Sequence, residues 1–174
     1  ETLVTLDDVT RRLTPEDLLI CDAGDRPIGL AGIMGGADTE IHDGTTAVAL
    51  EVAWFEPVGI GQTSSRLGLR SEASARFERG VDPWQIDTSI ARFVELLAET
   101  CPELAVQAGA VDARGASLPP ERRTCQVRVS QVNRILGTSL TADDLPPLLD
   151  PIGYTVHGDG DVREGELPTW RPDS

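Results

Sequence analysis

The chain has 174 residues, 40% apolar and 25% charged, a composition that supports a buried core without disulfide or metal staples. No apolar run reaches the roughly 18–20 residues that a membrane-spanning helix needs, which excludes an integral helical membrane protein. Twenty-nine acids against fifteen bases give a net charge of −14, which excludes sequence-blind nucleic-acid binding over the whole surface.

Leu3–Leu6 and Leu18–Cys21 read as short strands, separated by a turn at Asp7-Asp8 and by the Thr14–Asp17 segment. Four glycines in the nine residues Ile28–Gly36 are more than a plain strand tolerates, so the backbone is expected to bend or approach another segment closely there. Ala47–Phe55 reads as a buried strand with one charged residue, Glu51. Ser71 is placed to cap a short helix, Glu72–Arg79, ended by Gly80. Asp82-Pro83 starts a second helix whose Ile86, Ile90, Phe93, Val94, Leu97 and Cys101 fall on one apolar face, expected to pack in the core.

Periodic sequence stops at 109–120, where Gly, Ala, Ser and a Pro-Pro pair replace it. Residues 1–108 and 121–174 are therefore read as two structural units joined by a linker. In the second unit Gln126–Val129 reads as a strand and Ser130–Leu136 as a short helix. Thr141 and Asp144 form a capping-box pattern for a second helix, which Pro146-Pro147 keeps short or kinked. Tyr154–His157 and a strand around Leu167–Trp170 flank the turn-rich Gly158–Asp161. Strand, helix, helix, hairpin is the order of a small winged-helix-like module.

Cys21, Cys101 and Cys125 form neither a disulfide framework nor a Cys-x-x-Cys metal pair, so a reducing cytoplasm is the expected compartment. No phosphate-binding loop, dinucleotide fingerprint or nucleophile elbow is present. Arg66, Arg70, Arg76 and Arg79 crowd into fourteen residues. They read equally as a salt-bridged helix face and as a local phosphate-facing patch. Glu51 in its apolar run reads either as an acid neutralised by one of these arginines or as a single polar group that recognises something in an apolar pocket. The chain opens without Met and stops just after an apparent strand, which reads as a piece of a longer protein.

Three stretches carry a family resemblance: Ala31–Gly36, Leu50–Pro57 and Leu67–Pro83, the last with the string Arg-Phe-Glu-Arg-Gly-Val-Asp-Pro. They resemble the beta subunits of bacterial phenylalanine–tRNA ligases, in the editing domain formed by the third and fourth modules. Val129–Gly137, Ile152–Tyr154 and Pro168–Asp173 resemble the module that follows. The resemblance implies an α+β fold, with part of a mixed-sheet editing domain over 1–108, a linker at 109–120 and a winged-helix-like fifth module over 121–174.

It further implies hydrolysis of tyrosine wrongly attached to phenylalanine tRNA, in support of ATP-dependent phenylalanylation by an alpha subunit within a heterotetramer. By position, Glu51 matches the acid that recognises the tyrosine hydroxyl, and Gly35 matches a backbone position close to the bound amino acid. Ser71 stands where relatives often have Thr, and Ala73 matches a small residue lining the same pocket. The family's pocket also uses upstream residues, including a histidine, that this chain lacks; no catalytic side chain is assigned here. Asp173 matches one ligand of a magnesium ion shared with the alpha subunit, and neither Mg2+ nor ATP is expected on this piece alone. The competing class is a non-enzymatic protein- or nucleic-acid-interaction module.

Overall fold

β1 (Thr2–Val4) reverses through Asp7 and Asp8 and pairs antiparallel with β2 (Thr10–Arg12). Asp8 adopts φ 59°, a left-handed conformation that a short polar side chain tolerates. Fully buried Thr5 organises the reversal: its amide donates to the Val9 carbonyl at 3.2 Å, and its hydroxyl accepts from Arg11 Nε at 2.9 Å. A second sheet follows in the order β3 (Leu19–Cys21), β4 (Pro27–Leu30), β5 (Met34–Gly35). An antiparallel bridge from Thr5 to Gly36 and a 3.1 Å bond from the Leu6 amide to the Gly35 carbonyl tie the first hairpin to this sheet. Every pairing in the chain is antiparallel, so the mixed sheet expected from the sequence does not form.

The computed structural model describes all of residues 1–174. It divides into two compact units, Glu1–Leu118 and Pro119–Ser174, with the division inside the 109–120 stretch. In the first unit, α1 (Pro57–Leu67) is a helix the sequence reading omits. Its ends are nonetheless well marked. The Glu56 carboxylate accepts from the Val58 and Gly59 amides, Pro57 occupies the first turn, and Gly68 closes the helix at φ 59°. α2 (Glu72–Phe77) starts at Ser71 as expected and stops two residues short of Arg79. A 3-10 turn over Pro83–Gln85 leads into α3 (Ile86–Thr100).

Leu3, Leu13, Leu30, Ile33, Ile60 and Leu69 form the buried cluster, with Leu19, Met34, Phe55, Leu67 and Phe77 packed against it. Two expectations need correction. Ala47–Phe55 adopts no regular structure, and Val48 and Leu50 are exposed. A strand apolar on both faces needs a hydrogen-bonding partner and two covering layers, and this chain pairs no strand with it. α3 is amphipathic as read, but none of its residues is buried and Phe93 stays 42% exposed, so it contributes nothing to the buried cluster.

The second unit runs β6 (Arg123–Arg128), α4 (Val129–Leu136), a 3-10 turn, α5 (Leu145–Leu149), β7 (Thr155–His157) and β8 (Val162–Leu167), with sheet order β6-β8-β7. Strand, helix, helix, hairpin is the expected order. The capping box forms, since Asp144 accepts from both the amide and the hydroxyl of Thr141, at 2.7 and 2.6 Å. Pro146 and Pro147 fall in the first turn of a helix only five residues long, where their missing N–H groups cost little. The last strand begins earlier than read, at Val162, and ends before Pro168, which has no N–H for the ladder. No helix is long and apolar enough to cross a membrane.

Candidate functional site

Gly35 sits on β5 against Leu6; a Cβ there would lie 3.3 Å from Leu6 Cδ1. The bend before it is the Ala31–Ile33 turn, in which Gly32 takes φ +65°. After it, the Gly36 amide donates to the Ile28 carbonyl at 2.7 Å. Both behaviours expected of the glycine-rich run, bending and close approach, are therefore present.

Ser71 joins this turn to α2. Its hydroxyl accepts from the Ser74 amide at 3.0 Å and donates to the Ile33 carbonyl at 2.6 Å. The single hydroxyl proton is thereby committed to the backbone, so Ser71 orients the site and has no proton left to give a ligand. Ala73 lies half-buried on the same helix, one turn before Phe77.

Glu51 lies in the irregular stretch that follows the glycine-rich sheet and is exposed. Surrounding protein still strips enough water from it to raise its carboxyl above the ordinary glutamate value, and no favourable partner offsets the loss. Neutralisation by the arginine cluster does not occur. Arg66 pairs with Asp17, Arg70 with Glu78 at 2.8 Å, and Arg76 with Glu72 at 2.9 Å. Three of the four arginines thus form a salt-bridged surface, with Arg66 reaching inward to a buried acid, while Arg79 is exposed and makes no ion pair.

Sequence reading overlooked the aromatic pair that connects these segments. Phe55 and Phe77 meet with ring centroids 5.2 Å apart, tilted by 43°. Both rings close on Gly32, where an added Cβ would lie 3.0 Å from Phe77 Cγ and 3.1 Å from Phe55 Cδ2. Phe55 is four residues after Glu51, and Phe77 four after Ala73. The available signal was spacing: each phenylalanine follows a candidate site residue by the same short interval. A concave surface of about 510 Å3 elsewhere, on the sheet of the second unit, is lined by Thr124, Gln126, His157 and Glu164 among others, and by none of the candidate residues.

Asp173 accepts from Arg171 at 3.0 and 3.3 Å, and that guanidinium holds its carboxyl below the usual aspartate value. No group of three His, Cys, Asp or Glu side chains converges anywhere in the chain. Magnesium demands near-octahedral oxygen ligation, so these residues alone do not make a metal site, although Asp173 has the right chemistry to supply one oxygen of a larger set.

Residues 1–102 match the model of the B3/4 domain, and the chain belongs to that family. Over nearly its whole length it is also similar to phenylalanine–tRNA ligase beta subunits. That of Anaeromyxobacter dehalogenans is 44% identical over 99% of this chain and 21% of the relative. That of Leifsonia xyli is 44% identical over 99% and 20%, and that of Halalkalibacterium halodurans 38% identical over 99% and 21%. The chain therefore spans about a fifth of the length of the curated relatives it matches.

Proposed function

We propose that the chain forms part of the editing site of a phenylalanine–tRNA ligase, hydrolysing tyrosine mischarged on phenylalanine tRNA. The observation that carries this reading is Glu51: a carboxylate without an ionic partner, partly dehydrated, and set four residues from an aromatic contact that also holds the Gly35 turn and the Ala73 helix. Such a group is suited to accept a hydrogen bond from a phenolic hydroxyl entering beside apolar walls. A largely apolar synthetic pocket rejects a substrate that adds only a hydroxyl weakly, whereas a second site that hydrogen-bonds the hydroxyl discriminates steeply. The alpha subunit, working in a heterotetramer with ATP, charges the tRNA. Asp173 would supply one carboxylate oxygen to a magnesium ion held together with ligands from outside this chain. The nucleophile is a water held near the terminal ribose of the tRNA.

The test is a pair of deacylation rates on tyrosyl- and phenylalanyl-tRNA, measured with the complete complex and with its Glu51→Ala variant. A hydrogen bond to a charged group contributes about 1.5–3 kcal/mol, so tyrosine release is expected to slow roughly ten- to hundredfold. Release of phenylalanine and ATP-dependent charging stay as they were. Equal losses on both substrates, with a lowered melting temperature, would remove Glu51 from the pocket and return it to the framework.

A further inference from the structure

Gly32 has no side chain and no place in the recognition scheme above, yet the three segments that carry Gly35, Glu51 and Ala73 converge on it. It belongs to the turn that leads into Gly35, and it receives the Phe55 ring from the Glu51 segment and the Phe77 ring from α2. The neighbouring carbonyl, Ile33, accepts the Ser71 hydroxyl, which fixes the start of α2 to the same turn. Ile33 itself is 4% exposed and belongs to the buried cluster, so the turn is anchored from below. Two requirements leave glycine alone suited to the position. Its φ of +65° disfavours any Cβ, and the space a Cβ would take is already filled by aromatic carbons at 3.0–3.1 Å.

We infer that Gly32 is a positioning residue: the seat it offers to Phe55 and Phe77 sets the distance between Glu51, the Gly35 backbone and Ala73, and thereby the site's preference for tyrosine. The inference rests on the editing reading for its functional consequence, and on packing alone for its structural one. A methyl group at Gly32 cannot be absorbed by one flexible chain end, because rigid rings approach from two segments at once. The rings must separate, and the separation travels four residues along the chain to Glu51 on one side and one helical turn to Ala73 on the other. Misplacement on the order of 1 Å far from the reacting atoms costs about a hundredfold where orientation decides the rate.

The experiment compares the wild-type complex with Gly32→Ala, Phe77→Ala and the double variant Gly32→Ala/Phe77→Ala, all as complete alpha–beta assemblies. The first readout is the ratio of tyrosyl- to phenylalanyl-tRNA deacylation. It is expected to fall about ten- to hundredfold in Gly32→Ala and to recover in part in the double variant, where loss of the Phe77 ring removes the Cγ and Cδ2 contacts and leaves the Phe55 contact alone. Backbone strain at φ +65° persists in the double variant, so recovery separates packing from strain. General destabilisation would depress both rates together and leave the ratio unmoved. The second readout is a crystal structure of the Gly32→Ala complex, in which the Glu51–Gly35 separation is expected to grow.

An unchanged ratio in an enzyme that edits, or an unchanged separation, overturns the positioning role. If the wild-type complex shows no preference for tyrosine, the editing reading falls and the separation decides the inference by itself. If Gly32→Ala does not assemble, Phe77→Ala alone carries the test, since it loosens the same seat and must lower the ratio.

Discussion

Two carboxylates of the first unit are shifted in opposite directions, and the difference separates framework from site. Asp17 is buried, which by itself raises its pKa, but Arg66, the Thr14 amide at 2.8 Å and the Thr63 hydroxyl at 2.9 Å more than compensate and hold it below 3.8. A carboxyl lowered on folding contributes stability that is present above its unfolded pKa and lost as pH falls through the folded value. The protein should accordingly lose stability in acid below the ordinary aspartate range. Asp17→Ala should cost about 2–3 kcal/mol at pH 7 by stranding Arg66 and two donors, as urea denaturation of both proteins at pH 7 and pH 3 would measure. Glu51 carries the opposite sign. A carboxyl raised on folding contributes stability below its unfolded pKa that is lost as pH rises through the folded value. Glu51→Gln should therefore melt at or slightly above the wild-type temperature at pH 7, with the difference closing as the wild-type acid becomes protonated. A clear loss of stability at neutral pH in the glutamine variant would show that Glu51 supports the fold.

At the scale of elements, the glycine-rich run is where backbone spacing sets tolerance. Gly36 has an ordinary φ of −83°, so only space opposes a side chain there, and a Cβ would meet the Ile28 carbonyl oxygen at 2.7 Å. Gly36→Ala must push β4 and the residue after β5 apart, at a cost of about 1–3 kcal/mol. Gly29→Ala, on the same sheet, meets only ordinary contacts from 3.5 Å outward and should change stability far less. Chemical denaturation of the two variants side by side checks the contrast, and equal effects would mean that the strands give way freely. The same run illustrates what was legible beforehand. Crowded glycines, Ser71 before Glu72 and Thr141 before Asp144 announce local backbone chemistry, and local chemistry is written in adjacent residues. α1 was harder to read because Gly59, Gly61, Thr63, Ser64 and Ser65 weaken its helical propensity; its burial of Ile60, Thr63 and Ser64 against the rest of the unit overrides that weakness. The strand read over Ala47–Phe55 failed for the complementary reason, since a strand depends on a partner that its own residues cannot specify. The Phe55–Gly32–Phe77 contact joins three distant stretches, and no short-range pattern encodes it. Glu51 stood out as the one acid of an apolar run and Ser71 as a helix cap, the pocket roles of both and of Gly35 and Ala73 came through resemblance, and the packing that links them emerged only in three dimensions.

For the molecule as a whole, charge decides what this piece can do by itself. A net charge of −14 repels the phosphates of a tRNA, and two exposed arginines of the cluster that might counter it are already engaged. Arg70 and Arg76, each with 66% of the side chain exposed, are paired with Glu78 and Glu72, so contact with a phosphate requires surrendering an acid that remains nearby and repels. Each phosphate neutralised by a protein contributes about −0.7 to −0.9 to the slope of log affinity against log salt. The isolated chain should therefore bind phenylalanine tRNA weakly at physiological salt, with a slope no steeper than about −2, and most of the affinity of the complete ligase should come from surfaces outside it. A salt titration of binding, followed by fluorescence anisotropy of labelled tRNA, measures the slope directly. A slope near −4 would reveal a multi-phosphate basic face that the ion pairs conceal, and would restore the phosphate-facing reading of the arginine cluster. If the slope is shallow, substrate reaches Glu51 because the rest of the assembly delivers the tRNA end to it. In that case Arg70→Ala and Arg76→Ala should leave tyrosine release by the complete complex within about twofold of wild type, as befits exposed ion pairs contributing about 0–1 kcal/mol.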